Sequence, residues 1–157
     1  MFDTIVLLLA TGFGLGWLPW APGTFGALIG IPLAWWVAGQ PLGRQAASVT
    51  LMLVTAVALC GWASLALGGG DASQIVADEY LAFPLAVMGL KIARRPWGMA
   101  LAFLLFRLFD ITKLPPIGIT EAIGGGVGIA LDDFIAALYA WLVLMLVDTF
   151  WRRHRAG

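Results

Sequence analysis

The stretch "AASVTLMLVTAVALCGWASLAL", residues 46–67, contains no charged side chain and lies in a longer uncharged segment between Arg44 and Asp71. A helix that crosses the hydrocarbon core of a bilayer needs roughly 20 apolar residues. A second uncharged segment extends from Asp3 to Arg44. Exposing either long apolar segment to water would be unfavourable. Both segments therefore predict membrane-spanning helices.

The composition supports the same class of protein. Of the 157 residues, 61% are hydrophobic and 11% are charged, whereas soluble domains carry about 25% charged residues. The length, without a linker or a repeat, predicts a single membrane domain over residues 1–157. The nine basic and nine acidic residues cancel and form no basic patch, so we expect no nucleic-acid partner. The single cysteine, Cys60, excludes an internal disulfide and a cysteine metal cluster.

The apolar segments predict an all-α, polytopic bundle of about five hydrophobic helices. We expect these helices over residues 24–39, 46–67, 75–90, 97–112 and 127–150. Glycines interrupt residues 4–18, which predicts a short or re-entrant N-terminal segment. Thr24 is expected to cap the first of the five helices. Asp71, with Gln74 three residues later, is expected to cap the third.

Most of the basic residues fall at one end of this predicted bundle. They are Arg44, Lys91, Arg94, Arg95, Arg152, Arg153 and Arg155. The positive-inside rule assigns their end to the cytoplasm. The only histidine, His154, belongs to the same end and is a poor candidate for catalysis.

Charged residues from three predicted helices share the opposite end. They are Asp78, Glu79, Arg107, Asp110, Lys113, Asp132 and Asp133. A charge at the centre of a membrane helix costs about 2.5–3.5 kcal/mol on insertion scales, so such residues usually face the bundle interior and meet partners or ions. The spacing of Arg107, Asp110 and Lys113 places them on one helical face if the helix continues to Lys113.

The five carboxylates of this set exceed its two cations, and a divalent cation or protons must neutralise the excess. Carboxylate oxygens favour Mg²⁺, Mn²⁺ or Ca²⁺ over zinc. All five acids are therefore candidate metal ligands and candidate catalytic residues: Asp78, Glu79, Asp110, Asp132 and Asp133.

A metal beside an arginine and a lysine is suited to phosphate. Arg107 can hold a phosphate through two parallel hydrogen bonds, and Lys113 can add a point charge. Phosphomonoester hydrolysis is the simplest reaction that fits, by metal-activated water or by a carboxylate nucleophile. A small cation-binding transporter or channel is the alternative, and structural ion pairs are a third interpretation.

Two glycine-containing motifs leave alternatives open. The "GGGVG" motif at residues 124–128 can present backbone amides to an anion, or can serve as a flexible or closely packed entry into the last helix. In "PGTFG", residues 22–26, Thr24 and the Gly23 amide can assist phosphate binding, or Thr24 can act only as a cap.

Four sequence blocks resemble the phosphatidylglycerophosphatase A family in order and spacing. They are "GFGLGWLPWAPGTFGAL", "QIVADEYLAF", "FRLFDITKLPPIG" and "GGGVGIALDDFIAAL". Together they extend from Gly12 to Leu138. The resemblance implies a multi-pass enzyme of the bacterial inner (cytoplasmic) membrane. Such an enzyme requires Mg²⁺ and removes the terminal phosphate of phosphatidylglycerophosphate to give phosphatidylglycerol.

The family's motifs correspond to the acidic and basic residues named above and to Pro22, Gly23 and Thr24. The chain departs from the family pattern at Ala27, Leu114 and Ala137, outside that acidic and basic core. The side of the membrane that the site faces stays open. The family's substrate is made at the inner leaflet, whereas the bias of basic residues puts the acidic end outside.

Overall fold

A computed structural model describes residues 2–115, 117 and 123–156 of the chain. Within these ranges the chain forms helices and turns and no strand, which confirms the predicted all-α class. The α-helices are α1 (Phe2–Ala10), α2 (Pro22–Ala38), α3 (Leu42–Ala66), α4 (Ala77–Ala82), α5 (Pro96–Thr112) and α6 (Gly125–Ala156). Short 3-10 helices lie at Leu15–Trp17, Phe83–Val87 and Lys91–Arg94.

Two helices in the described ranges are long and apolar enough to cross a membrane: Leu42–Ala66, which is α3, and Gly125–His154 within α6. Helix α2 is apolar but shorter. The prediction for residues 4–18 gave a short or re-entrant segment, and α1 indeed ends at Ala10. The described part of the chain is therefore helical as predicted, but two of its helices, not five, have spanning length.

The prediction of one helix over residues 75–90 is wrong. Helix α4 ends at Ala82, and the chain continues as a 3-10 helix that contains Pro84. Proline cannot donate to the preceding turn, and its ring clashes with the carbonyl four residues earlier. Most of the segment is nevertheless buried between α2, α3 and α6, so it forms the centre of the bundle.

Both predicted helix caps are also wrong. Helix α2 begins at Pro22, ahead of Thr24, because the fixed φ and missing N–H of proline suit the first turn of a helix. Helix α4 begins at Ala77 without a side-chain cap. The Val76 N–H is instead bonded to the Ala10 carbonyl at 2.9 Å, which leaves Asp71 in the preceding loop.

The end of α2, the start of α3 and the end of α6 meet at one end of the bundle, where the predicted basic residues lie. The Gln45 side chain accepts the Gly89 N–H at 2.7 Å. The Arg94 guanidinium donates to the Trp35 carbonyl at 3.3 Å. The Arg95 guanidinium lies 4.5 Å from the ring centre of Trp151. Packing therefore collects these cations at one end, as the sequence predicts.

Candidate active site

A cavity of about 310 Å³ at the opposite end of the bundle contains all the charged residues predicted to meet there. Its lining also includes Ala21, Pro22 and Gly23 from the start of α2, and Asp71, Ser73 and Ile75 from the loop before α4. The predicted convergence of acids and bases from separate helices is therefore observed.

Three helices deliver these side chains. Asp78 and Glu79 lie in the first turn of α4, Arg107 and Asp110 lie in the last turns of α5, and Asp132 and Asp133 lie in α6. Asp78 is 6% exposed and Asp133 is 4% exposed. Carboxylates so deeply buried need a counter-charge or hydrogen-bond donors, because burial alone strongly disfavours the ionised form.

Arg107 joins α4 to α5. Its Nη1 donates to Glu79 Oε1 at 3.1 Å and lies 2.6 Å from Asp110 Oδ2. The three side chains are each less than one fifth exposed. In this state, two of the predicted metal ligands are therefore bound to the arginine.

Lys113 lies at the C-cap of α5 and not on its helical face. The helix ends at Thr112, and Lys113 adopts a left-handed conformation with φ of 43°. This turn brings Lys113 Nζ within 3.5 Å of Asp132 Oδ2 on α6. The lysine therefore links α5 to α6, although the helix does not continue to it.

Gly23 and Thr24 differ in their relation to the cavity. Gly23 lines the cavity, and a Cβ at this position would overlap the Glu79 carboxylate. Thr24 is half-buried in the next position and does not belong to the cavity lining. The close approach of backbone to carboxylate explains glycine at position 23, whereas binding by Thr24 stays a prediction.

The donor chemistry of the cavity fits a hard divalent cation. Six carboxylates line it, from Asp71, Asp78, Glu79, Asp110, Asp132 and Asp133, against the two cations Arg107 and Lys113. Among the described residues, the buried atoms Asp78 Oδ1 and Glu79 Oε2 receive no hydrogen bond. Oxygen atoms of this kind are the usual ligands of Mg²⁺.

The carboxylates do not form a ready-made metal site in the described part of the chain, where no group of three acidic, histidine or cysteine side chains is arranged to hold an ion. The identity of the ion and its ligands stay predictions.

Asp71 is a residue of the cavity that the sequence analysis assigned to a helix cap. It also lines a neighbouring cavity of about 350 Å³, together with Ile129, Asp132 and glycines 70, 124, 125 and 128. The three glycines before Asp71 all have positive φ, between 80° and 99°. This glycine-rich turn leads the chain from the end of α3 back to the cavity. In the sequence, it was the feature that could have indicated a place for Asp71 in the site.

The cavity inside this helical bundle combines buried acids with one guanidinium and one ammonium group, and these cations are groups that can bind a phosphate ester. The sequence model of the family described as phosphatidylglycerophosphatase A matches residues 8–148. The chain therefore belongs to the phosphatidylglycerophosphatase A family and is a phosphatase. The family gives no support to the transporter alternative.

Named relatives agree with this assignment. Phosphatidylglycerophosphatase A of Escherichia coli is 32% identical, over 92% of this chain and 84% of the relative. The protein of the same name from Haemophilus influenzae is 34% identical, over 92% and 88%. A Bacteroides thetaiotaomicron protein with the provisional name phosphatidylinositol-3-phosphatase is 36% identical, over 88% and 90%. No solved structure matches the chain significantly.

Proposed function

We propose that this protein is a Mg²⁺-dependent, membrane-embedded phosphatase that hydrolyses the terminal phosphate of phosphatidylglycerophosphate to phosphatidylglycerol and inorganic phosphate. The observation that carries the proposal is the meeting of acids from three helices with Arg107 and Lys113 in one cavity. Because the chain belongs to a phosphatase family, we assign phosphate-ester hydrolysis to this arrangement.

Arg107 is the proposed phosphate-binding group. A single nitrogen, Nη1, makes both contacts to Glu79 and Asp110, and the buried Nε has no acceptor among the described residues. The guanidinium therefore keeps donor capacity for phosphate oxygens, while its two carboxylate partners fix its orientation. Lys113, which is more exposed, adds a second positive charge at the same cavity.

The carboxylates are the proposed metal ligands and proton acceptors: Asp78, Glu79, Asp110, Asp132 and Asp133. Mg²⁺, when bound, supplies polarisation of a phosphoryl oxygen and offsets the charge of the acids. A carboxylate within the set that is not engaged in binding accepts the proton of the attacking water. Thr24 and the Gly23 amide are secondary candidates for contact with the phosphate.

The proposed location is the bacterial cytoplasmic membrane, in which the chain forms a multi-pass single domain. Helices α3 and α6 have spanning length. Helix α2 exposes one apolar face, formed by Phe25, Leu28 and Trp36, which suits contact with lipid chains. A lipid environment also explains the uncharged segment that contains this helix.

The direct test is phosphate release by the purified protein from phosphatidylglycerophosphate, with Mg²⁺ and then with a chelator. Phosphatidylinositol 3-phosphate, phosphatidic acid and water-soluble glycerol 3-phosphate are the comparison substrates. We expect phosphatidylglycerophosphate to be preferred and the chelator to stop turnover. If the protein instead prefers phosphatidylinositol 3-phosphate, the proposed substrate would change to this phosphoinositide, which the name of the Bacteroides relative indicates.

The matched variants are Asp132→Asn in the cavity and Asp3→Asn outside it. The first should abolish phosphate release, and the second should preserve it. Absence of hydrolysis with every substrate would overturn the proposed function.

A further inference from the structure

The connection between α1 and α2, residues 11–21, carries a cluster of exposed apolar side chains, which we call the aromatic loop. Trp17 is 62% exposed and Trp20 is 81% exposed. Phe13 and Leu18 are exposed as well. The loop carries no charged residue. An exposed apolar cluster without charges indicates an interaction surface and not a solvated turn.

Backbone contacts hold the aromatic loop beside the acidic cavity. Ala10, immediately before it, bonds the N–H of Val76, two residues from Asp78. Gly16 packs so closely on the Gln74 carbonyl that a Cβ would overlap it. Ala21, the last residue of the loop, lines the cavity itself. The backbone that carries the exposed aromatic rings is thus held beside the cavity.

The surface of the loop continues into the exposed apolar face of α2. Phe25, Leu28 and Trp36 on that face follow helical spacing. This continuity favours lipid as the occupant over a protein partner, because the same face belongs to a chain with two helices of spanning length. Tryptophan is also the side chain that concentrates at the boundary between lipid chains and head groups.

We infer that the aromatic loop inserts into the membrane interface and binds the acyl-glycerol part of the lipid substrate while its phosphate occupies the acidic cavity. The inference rests on the proposed function and adds a lipid-binding surface to it. The loop would distinguish a membrane lipid from a soluble phosphate ester that carries the same phosphate.

The kinetic test compares the double variant Trp17→Ser/Trp20→Ser with Phe150→Ser, a control exposed aromatic near the end of α6. In detergent mixed micelles, the double variant should raise the KM for phosphatidylglycerophosphate about tenfold with little change in kcat. Its hydrolysis of glycerol 3-phosphate should equal that of the unmodified protein, as should both activities of the control. An unchanged lipid KM, or an equal loss with both substrates, would overturn the inference.

A second measurement does not depend on turnover. A nitroxide label on the W20C variant, in vesicles of phosphatidylethanolamine and phosphatidylglycerol, should collide with dissolved oxygen more than with a water-soluble nickel chelate. Cys60 is buried, so the label attaches selectively. The water-facing control is R153C, at an exposed position near the end of α6. A W20C label with the accessibility of R153C would refute the inference. If the unmodified protein hydrolyses no ester, the proposed function fails and the label still tests the loop.

Discussion

Glu79 and Arg107 are bonded at 3.1 Å across 28 residues of sequence, joining the first turn of α4 to α5. The bonded oxygen, Glu79 Oε1, is also the atom against which the Gly23 backbone packs. Three helices therefore meet at one carboxylate. Because the position of this carboxylate sets the position of the guanidinium, the geometry of the proposed phosphate site depends on close packing as well as on charge.

Replacement of Arg107 by lysine should lower kcat/KM for the lipid substrate about 100-fold, a usual effect of removing one positioned donor from an active site. Lysine keeps the charge but cannot bond two carboxylates and a phosphate with the same planar group. The measurement is steady-state phosphate release, and Arg44→Lys at the basic end is the matched control. Near-normal activity of R107K would show that Arg107 provides only charge.

Gly23→Ala should reduce activity by about 100-fold, since small displacements of positioned groups cost that much. The added methyl group would overlap the Glu79 carboxylate and displace it, and with it Arg107. The control is Gly43→Ala in α3, where a Cβ meets nothing within 4 Å and should stabilise the helix slightly. If G23A is as active as G43A, the close approach has no role in positioning the site.

Asp78→Asn should separate metal binding from folding. Asp78 Oδ1 is buried without a hydrogen-bond donor among the described residues, so neutralising it should preserve or raise the thermal stability of the metal-free protein. In the unmodified protein, Mg²⁺ at 100 times its Kd should add about 2.7 kcal/mol of stability. D78N should lose most of that increment, as measured by thermal unfolding in detergent with and without MgCl₂. An undiminished Mg²⁺ effect would exclude Asp78 as a ligand.

Most of the site could be predicted from the sequence, because charged side chains in long apolar segments must gather in the interior of the bundle. Asp110, Asp132 and Arg107 could be assigned to one cavity from the alternation of apolar helices and the cost of burying charge. Asp71 could not, because an acid after three glycines also fits a helix cap. In the structure α4 begins only at Ala77, so Asp71 lies in the preceding loop and lines the cavity.

The points at which helices are interrupted inside buried segments were harder to predict than the burial of those segments. Residues 75–90 are apolar enough for a central helix, yet Pro84 and the positive φ of Gly89 divide them into short pieces. Lys113 likewise belongs to the site through a left-handed turn, which spacing along a helix does not reveal. Apolar composition predicts where a segment lies, whereas individual backbone conformations determine how its side chains point.

Asp148 lies at the end of the bundle that carries the basic residues. We expect its replacement to lower stability and to leave catalysis unchanged. It is 0% exposed, accepts the Ile92 N–H at 3.1 Å and pairs with Arg152. It thereby attaches the 3-10 helix Lys91–Arg94 to α6, far from the cavity. Asp148→Ala would leave the buried Ile92 N–H without an acceptor, which costs about 1–3 kcal/mol.

Asp148→Asn keeps an oxygen acceptor and should lose less stability than D148A. We expect D148A to unfold at lower denaturant concentration but to retain normal phosphate release per folded molecule, because no residue of the acidic cavity contacts this acid. The comparison needs unfolding curves and specific activity measured on the same preparations. A selective loss of activity at unchanged stability would contradict this assignment, because it would require the two ends of the bundle to be coupled during catalysis.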